Sequence, residues 1–259
     1  MTDANDEFYI GYLDQAPSGL ARVTRQRVLL TVSFALLIAI GLVAAQQPFG
    51  KGTFEFGETV TLRGRLVERP APTLVVERPG FADSQPSASR YLLSSFGKHG
   101  ATEQVAGLDG QAAAVTGTLI YRDHTTMIEL ADEGVELIEL IDGSTWQEQQ
   151  LAPADLGQHT LQGEIVDSKC FLGVMKPGNS KPHRACATRC ISGGVPPVLL
   201  LRDGAGNATY LLLVGEQGQT INKDVLSMVA EPVQISGRVM RHDDLLVMYA
   251  DPSGFVRLE

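Results

Sequence analysis

Hydrophobic and polar positions divide the chain into one continuous apolar run followed by many short, interrupted ones. The run from Val28 to Ala45 is eighteen residues long and uncharged, long enough to cross a hydrocarbon layer as a helix. After it, apolar segments of five to nine residues recur, bounded by Gly, Pro, Asn and Asp, the pattern of strands and turns. The second half of the chain predicts strands over Thr160–Val166, Val198–Arg202, Thr209–Leu213, Pro232–Met240 and Leu245–Tyr249. A helix is expected over Ile221–Val229, after Gly218 and before Pro232.

The two halves repeat. Val60-TLRGRLV, Tyr91-LL and Val105 to Leu130 in the first are echoed by Thr160-LQGEIV, Tyr210-LL and Val225 to Tyr249 in the second. In this alignment Gly64 matches Gly163, Tyr91-Leu92-Leu93 matches Tyr210-Leu211-Leu212, and Gly117 matches Gly237. Five short strands with a helix between the third and fourth is the order of an OB barrel. The fold class expected is therefore mainly β: two tandem five-stranded OB-like barrels after one N-terminal transmembrane helix. The divisions are a tail over 1–27, the helix over 28–45, a first barrel over 58–141, a linker over 142–157 and a second barrel over 158–259.

The copies differ in one connection. Eight positions separate Gly64 from Pro72 and 34 separate Gly163 from Pro197, so the second copy carries 26 extra residues between its first two strands. All three cysteines of the chain, Cys170, Cys186 and Cys190, and His183 fall inside this loop, 167–195. The loop is expected to be separable from the fold, and the first barrel to be structural or partner-facing.

Three thiols and an imidazole are donors preferred by borderline and soft ions, zinc and copper(I) among them. Cys186 and Cys190, four apart, share a face of a helical turn, with His183 one turn earlier. Cys170, His183, Cys186 and Cys190 are thus the candidate metal ligands, with Met175 a further soft donor. The alternatives are a disulfide with one thiol left over, and thiol–disulfide oxidoreductase chemistry at C-x-x-x-C. Lys169, Lys176, Lys181, Arg184 and Arg189 crowd the loop as cations that stabilise thiolates or form a solvated or anion-binding surface. The Gly193-Gly194-Val195-Pro196-Pro197 run is expected to turn the loop into the next strand.

Other chemistries are excluded or weak. The formal charge of -9 argues against nucleic-acid binding. No Walker A loop, nucleophile elbow or C-x-x-C-H occurs. His99, His124, His159 and His242 read as turn or surface residues. Arg22, Arg25 and Arg27 before the apolar run place residues 1–27 in the cytoplasm and the rest on the far side. A signal peptide cleaved after Val43-Ala44-Ala45 is the competing reading. The acidic, aromatic stretch Asp6 to Asp14 is a solvated tail or a docking segment.

The C-x-x-x-C spacing resembles that of copper proteins of respiratory-oxidase assembly and of the oxidase's dinuclear copper centre, over five residues. The run D-S-K-C-F-L-G-V-M-K-P-G, then H-R-A-C-A-T-R-C-I-S-G-G-V-P-P, with the F-Y-I-G-Y tail, resembles bacterial membrane-anchored proteins that have one N-terminal helix and a Cys/His-rich loop. That resemblance implies location and no particular activity. The combined expectation is a bacterial inner-membrane protein with periplasmic barrels that binds copper or zinc, without a catalytic pattern, beside an integral-membrane partner. The alternative is an accessory subunit of a membrane oxidoreductase whose loop is stapled by a disulfide.

Overall fold

The structure, a computed structural model, describes residues 18–45, 52–78, 88–139 and 153–258. Most of the linker and the stretch Asp6 to Asp14 lie outside these residues. The chain divides into two compact units, Met1–Phe49 and Gly50–Glu259. In the first, α1 (Ser18–Ala45) runs 28 residues with no buried side chain. It begins ten residues before the apolar run, because Leu20, Ala21, Arg22, Arg25, Gln26 and Arg27 are good helix formers and no Pro or Gly intervenes after Gly19. A long, apolar, exposed helix near the N-terminus is consistent with a membrane anchor or a signal.

The second unit holds two closed, five-stranded mixed barrels. The first consists of β1 (Val60–Val67), β2 (Thr73–Glu77), β3 (Ala88–Ser95), β4 (Ala112–Arg122) and β5 (Thr125–Leu137). The second consists of β6 (Ala154–Asp167), β7 (Pro197–Arg202), β8 (Ala208–Val214), β9 (Pro232–His242) and β10 (Leu245–Tyr249). Each closes in one order: β1-β2-β3-β5-β4 back to β1, and β6-β7-β8-β10-β9 back to β6. Among the described strands, β3 pairs with β5 and β8 with β10 in parallel, and the other strand pairs of each barrel are antiparallel. The expected helix over Ile221–Val229 shrinks to the single turn Leu226–Met228. Its apolar residues Ile221, Val225 and Val229 plug the second barrel instead, as Val105 of the helical turn Thr102–Val105 plugs the first.

The matched glycines have one physical cause. A Cβ on Gly64 would stand 2.4 Å from Val75 O, and one on Gly163 would stand 2.4 Å from Leu200 O. Gly117 and Gly237 meet Glu129 O and Tyr249 O in the same way. Small barrels bend sharply there, and the neighbouring strand comes too close for a side chain.

Strand register corrects the repeat alignment at one place. Leu92 pairs with Thr73 and Met127, whereas Leu212 pairs with Val198 and Val247. Leu92 is therefore the counterpart of Leu212, and Tyr91 that of Leu211 rather than Tyr210. A one-residue slip on a strand exchanges its faces, and here the faces have different tasks. Leu93, like Leu213, points into its own barrel. Leu92 and Leu212 point outward into one shared apolar cluster with Met127, Ile120, Val198 and Val247.

The barrels thus pack through equivalent faces, an arrangement resembling the self-complementary interface of a two-fold dimer. The polar contacts follow the same logic. Arg90 Nε donates to Asp243 Oδ2 (2.8 Å) in the second barrel's hairpin turn. Its counterpart Tyr210 donates through its hydroxyl to the carbonyl of Arg122, beside the first barrel's equivalent turn. Asp123 and Asp243 occupy those turns with φ of 52° and 53°, a left-handed conformation that Asp tolerates better than most residues. His242 is then the counterpart of Arg122. It is half-buried and hydrogen-bonded to Tyr249 Oη (3.0 Å), not an exposed turn residue.

Candidate metal centre

The loop between β6 and β7 folds because its first residues are apolar and its later ones helical. After Asp167 the chain makes a helical turn over Cys170–Val174 that buries Phe171 and Leu172. Both side chains enter the apolar cluster shared by the barrels. Phe171 packs edge-on against Tyr210, and the Arg122 guanidinium lies 4.4 Å from the centre of its ring. The loop then passes through the turn Lys181–His183 into α2 (Arg184–Ser192), which carries Cys186 and Cys190 one turn apart. Gly194 (φ 98°) ends the helix and leads into β7, as the Gly-Gly-Val-Pro-Pro run implied. Asn222 Nδ2 donates to the carbonyls of Ile191 (2.7 Å) and Val195 (2.9 Å), satisfying backbone acceptors at the helix end.

These elements bring the four sequence candidates into two overlapping groups, Cys170 with His183 and Cys186, and Cys170 with Cys190 and Asp167. Cys170 Sγ lies 3.9 Å from both Cys186 Sγ and Cys190 Sγ. A ring nitrogen of His183 lies within 4.8 Å of the Cys170 and Cys186 sulfurs. All three cysteines are free thiols, since a disulfide requires a separation of about 2.05 Å. Two sulfurs bound to one tetrahedral ion at about 2.3 Å stand roughly 3.8 Å apart, close to the spacing found. Cys170, Cys190 and His183 are buried and Cys186 is half-buried. Met175 is 43% exposed and belongs to neither donor group.

Two functional residues escape the sequence pattern. Asp167, fully buried, accepts from the Cys170 backbone N–H at Oδ1 (2.7 Å) and holds His183 Nε2 at Oδ2 (3.0 Å). One of its oxygens also lies within 4.8 Å of the Cys170 and Cys190 sulfurs. Its position three residues before Cys170 was its only signal. The second is Lys98 of the first barrel, whose Nζ donates to Cys186 Sγ (2.7 Å) and Cys190 Sγ (3.8 Å). Nothing in the sequence could join positions 98 and 186 without the barrel–barrel packing.

Two of the loop's own cations are engaged elsewhere. Lys169, 2% exposed, points away from the thiols and donates to the carbonyls of Ser95 and Gly97 (2.7 Å each), with Glu129 Oε2 at 3.2 Å. Arg184 pairs with Glu231. The N–H of Gly100 donates to the Gly193 carbonyl (3.0 Å), and a Cβ on Gly100 would stand 2.1 Å from Gly194 O. This packing stands against the expectation of a separable loop: the loop is a wedge of shared core, and the first barrel walls the cluster. The physical reason is apolar matter, since Phe171 and Leu172 can be buried only between the two barrels.

Protonation follows the contacts. Cys170 is pushed up because it donates its thiol proton to Cys190, with burial adding to this. Cys190 is lowered first by accepting that bond, against burial, with Lys98 assisting. Lys98 is raised, chiefly by its hydrogen bond to Cys186. The arrangement is a buried Cys, His and Asp group that can bind a metal ion. No protein-family model matches the chain, and no curated protein sequence matches it.

Proposed function

We propose that the chain is a membrane-anchored metal-binding accessory protein that holds one zinc or copper(I) ion through Cys170, His183, Cys186 and Cys190. The observation that carries this reading is that Cys170 Sγ stands 3.9 Å from both other sulfurs, with His183, held by the buried Asp167, beside Cys170 and Cys186. A histidine ligand commonly gives its other ring N–H to a carboxylate, which sets its tautomer and orientation. The contact of His183 Nε2 with Asp167 Oδ2 would take that form with Nδ1 turned to the ion. Three thiolates and one imidazole make a complete tetrahedral set, which favours zinc, while the sulfur-rich character admits copper(I).

Closure of the set argues for holding or handing on an ion rather than for catalysis, which needs an open coordination position. The helix Ser18–Ala45 supports anchoring, and the arginines before its apolar part support barrels on the far side of a bacterial inner membrane; an integral-membrane partner is part of the proposal. Elemental analysis of the full-length protein, purified reduced in detergent, tests the central claim. About one equivalent of zinc or copper is expected in the wild type and a small fraction of that in Cys186→Ser/Cys190→Ser. Equally negligible metal in both would overturn the reading.

A further inference from the structure

The three thiols are not equivalent, and their differences point to a second activity. Cys186 alone is half-buried; Cys170 and Cys190 are closed off from solvent. Cys170 lies between the others, 3.9 Å from each. Lys98 Nζ, on an exposed residue, donates to Cys186 Sγ (2.7 Å). An accessible thiol beside a cation, with a buried thiol next to it, is the arrangement of an attacking and a resolving cysteine.

We infer that Cys186 is a thiol–disulfide exchange site for small disulfides such as oxidised glutathione, that Cys170 resolves the adduct, and that the resulting Cys170–Cys186 disulfide excludes the metal ion. The last clause rests on the metal-binding reading; the exchange itself does not. In the first step the Cys186 sulfur attacks one sulfur of the glutathione disulfide, forming a mixed disulfide and releasing one glutathione thiolate. In the second the Cys170 sulfur attacks Cys186 Sγ, the second glutathione leaves, and the pair is joined. Two protein thiols have been oxidised by two electrons, one disulfide has been reduced to two thiols, and the two thiol protons pass to the departing glutathiones.

The geometry requires the sulfurs to approach by about 2 Å to reach bonding distance. That movement falls on the turn Cys170–Val174 and on α2, the segments that carry the two sulfurs. Cys190 is left as a single thiol beside Lys98, with one sulfur and one imidazole in place of four donors. Zinc or copper(I) bound to all four would conversely hold both reacting sulfurs and block the exchange. The cluster therefore has two mutually exclusive closed forms, one joined by metal and one by a disulfide.

The test uses the full-length protein in detergent, reduced, stripped with a chelator and incubated with oxidised glutathione. Intact mass should fall by two hydrogens, and peptide mapping should find Cys170 linked to Cys186 with Cys190 open to alkylation. Cys170→Ser should stop at one glutathione on Cys186, and Cys186→Ser should react about tenfold more slowly. A link that joins Cys190 to either partner as the main product, or wild-type protein that retains glutathione without closing, overturns the exchange. Zinc added before the disulfide should slow closure about tenfold. Zinc that binds without slowing it overturns the exclusion, whereas zinc that does not bind at all sinks the metal reading and leaves the exchange to be judged on the mass and mapping alone.

Discussion

The two barrels share a strand order, one parallel strand pair and two bend glycines each with the same cause, yet all three cysteines belong to the second. Between β1 and β2 the first barrel needs a short turn; between β6, which ends at Asp167, and β7 the second holds His183 and all three cysteines. The comparison teaches that a loop inserted into a repeat need not be an appendage. Its first turn supplies Phe171 and Leu172 to the core joining the barrels, and Lys169 is satisfied by carbonyls of the other copy. The barrel without ligands contributes Lys98. One copy holds the cysteine cluster and the other walls it.

Deleting the loop should be the strongest way to break this picture. Replacing residues 168–196 by the five-residue connection 68–72 would remove Phe171 and Leu172 and strip the partners of Ser95, Gly97 and Glu129. Cooperative unfolding in urea, followed by near-ultraviolet circular dichroism, should be lost; a cooperative transition near the wild-type midpoint would show the loop to be separable after all.

Leu92→Ala and Leu212→Ala test the equivalence of the two packing faces. Both side chains are about 1% exposed in the same cluster, so each should cost about 2–5 kcal/mol of stability in denaturant titrations. Strongly unequal costs would mean that the faces are equivalent in register only.

Asp167→Asn addresses the cysteine cluster by itself. Loss of the carboxylate that orients His183 should weaken metal affinity by roughly 10–100-fold, measured by competition with a chromophoric chelator, while the strands keep their circular dichroism. Unchanged affinity would remove Asp167 from the site.

The smallest effect separates the hairpins. His242 is lowered to about 4, by burial first and by Arg90 second, whereas its counterpart Arg122 stays charged. As pH falls from about 6.5 to about 4 the unfolded chain takes up a proton that folded His242 refuses, so stability declines across that window and levels below it. His242→Gln should flatten the wild-type fall in melting temperature over this range. Parallel curves for the two proteins would assign the pH dependence to other groups.

Much of the fold was legible because barrels repeat. Gly64, Gly163, Gly117 and Gly237 are required locally by close strand approach, and alternation of apolar residues marks strands whatever lies beyond them. The YLL triplets misled for a related reason. Tyr91 and Tyr210 look alike, but the residue before Leu211 faces the partner barrel and the residue before Leu92 faces its own. Only the burial of both faces, one inside a barrel and one between barrels, distinguishes them. In the cluster, the thiols and His183 were legible from residue type and spacing. Asp167 and Lys98 were not, since a carboxylate or an ammonium gains its role from what it touches.

The sequence by itself determined the long apolar helix, two strand-rich copies and a loop that concentrates every sulfur of cysteine in 21 residues. These are short-range properties, written in hydropathy, periodicity and composition. The tertiary structure alone decided that the thiols stand 3.9 Å apart without being joined. It also decided that a buried carboxylate grips the histidine and that a lysine 88 positions from Cys186 meets its sulfur. Those relations depend on burying Phe171, Leu172, Leu92 and Leu212 together, and that burial exists only once both barrels have formed and closed on each other.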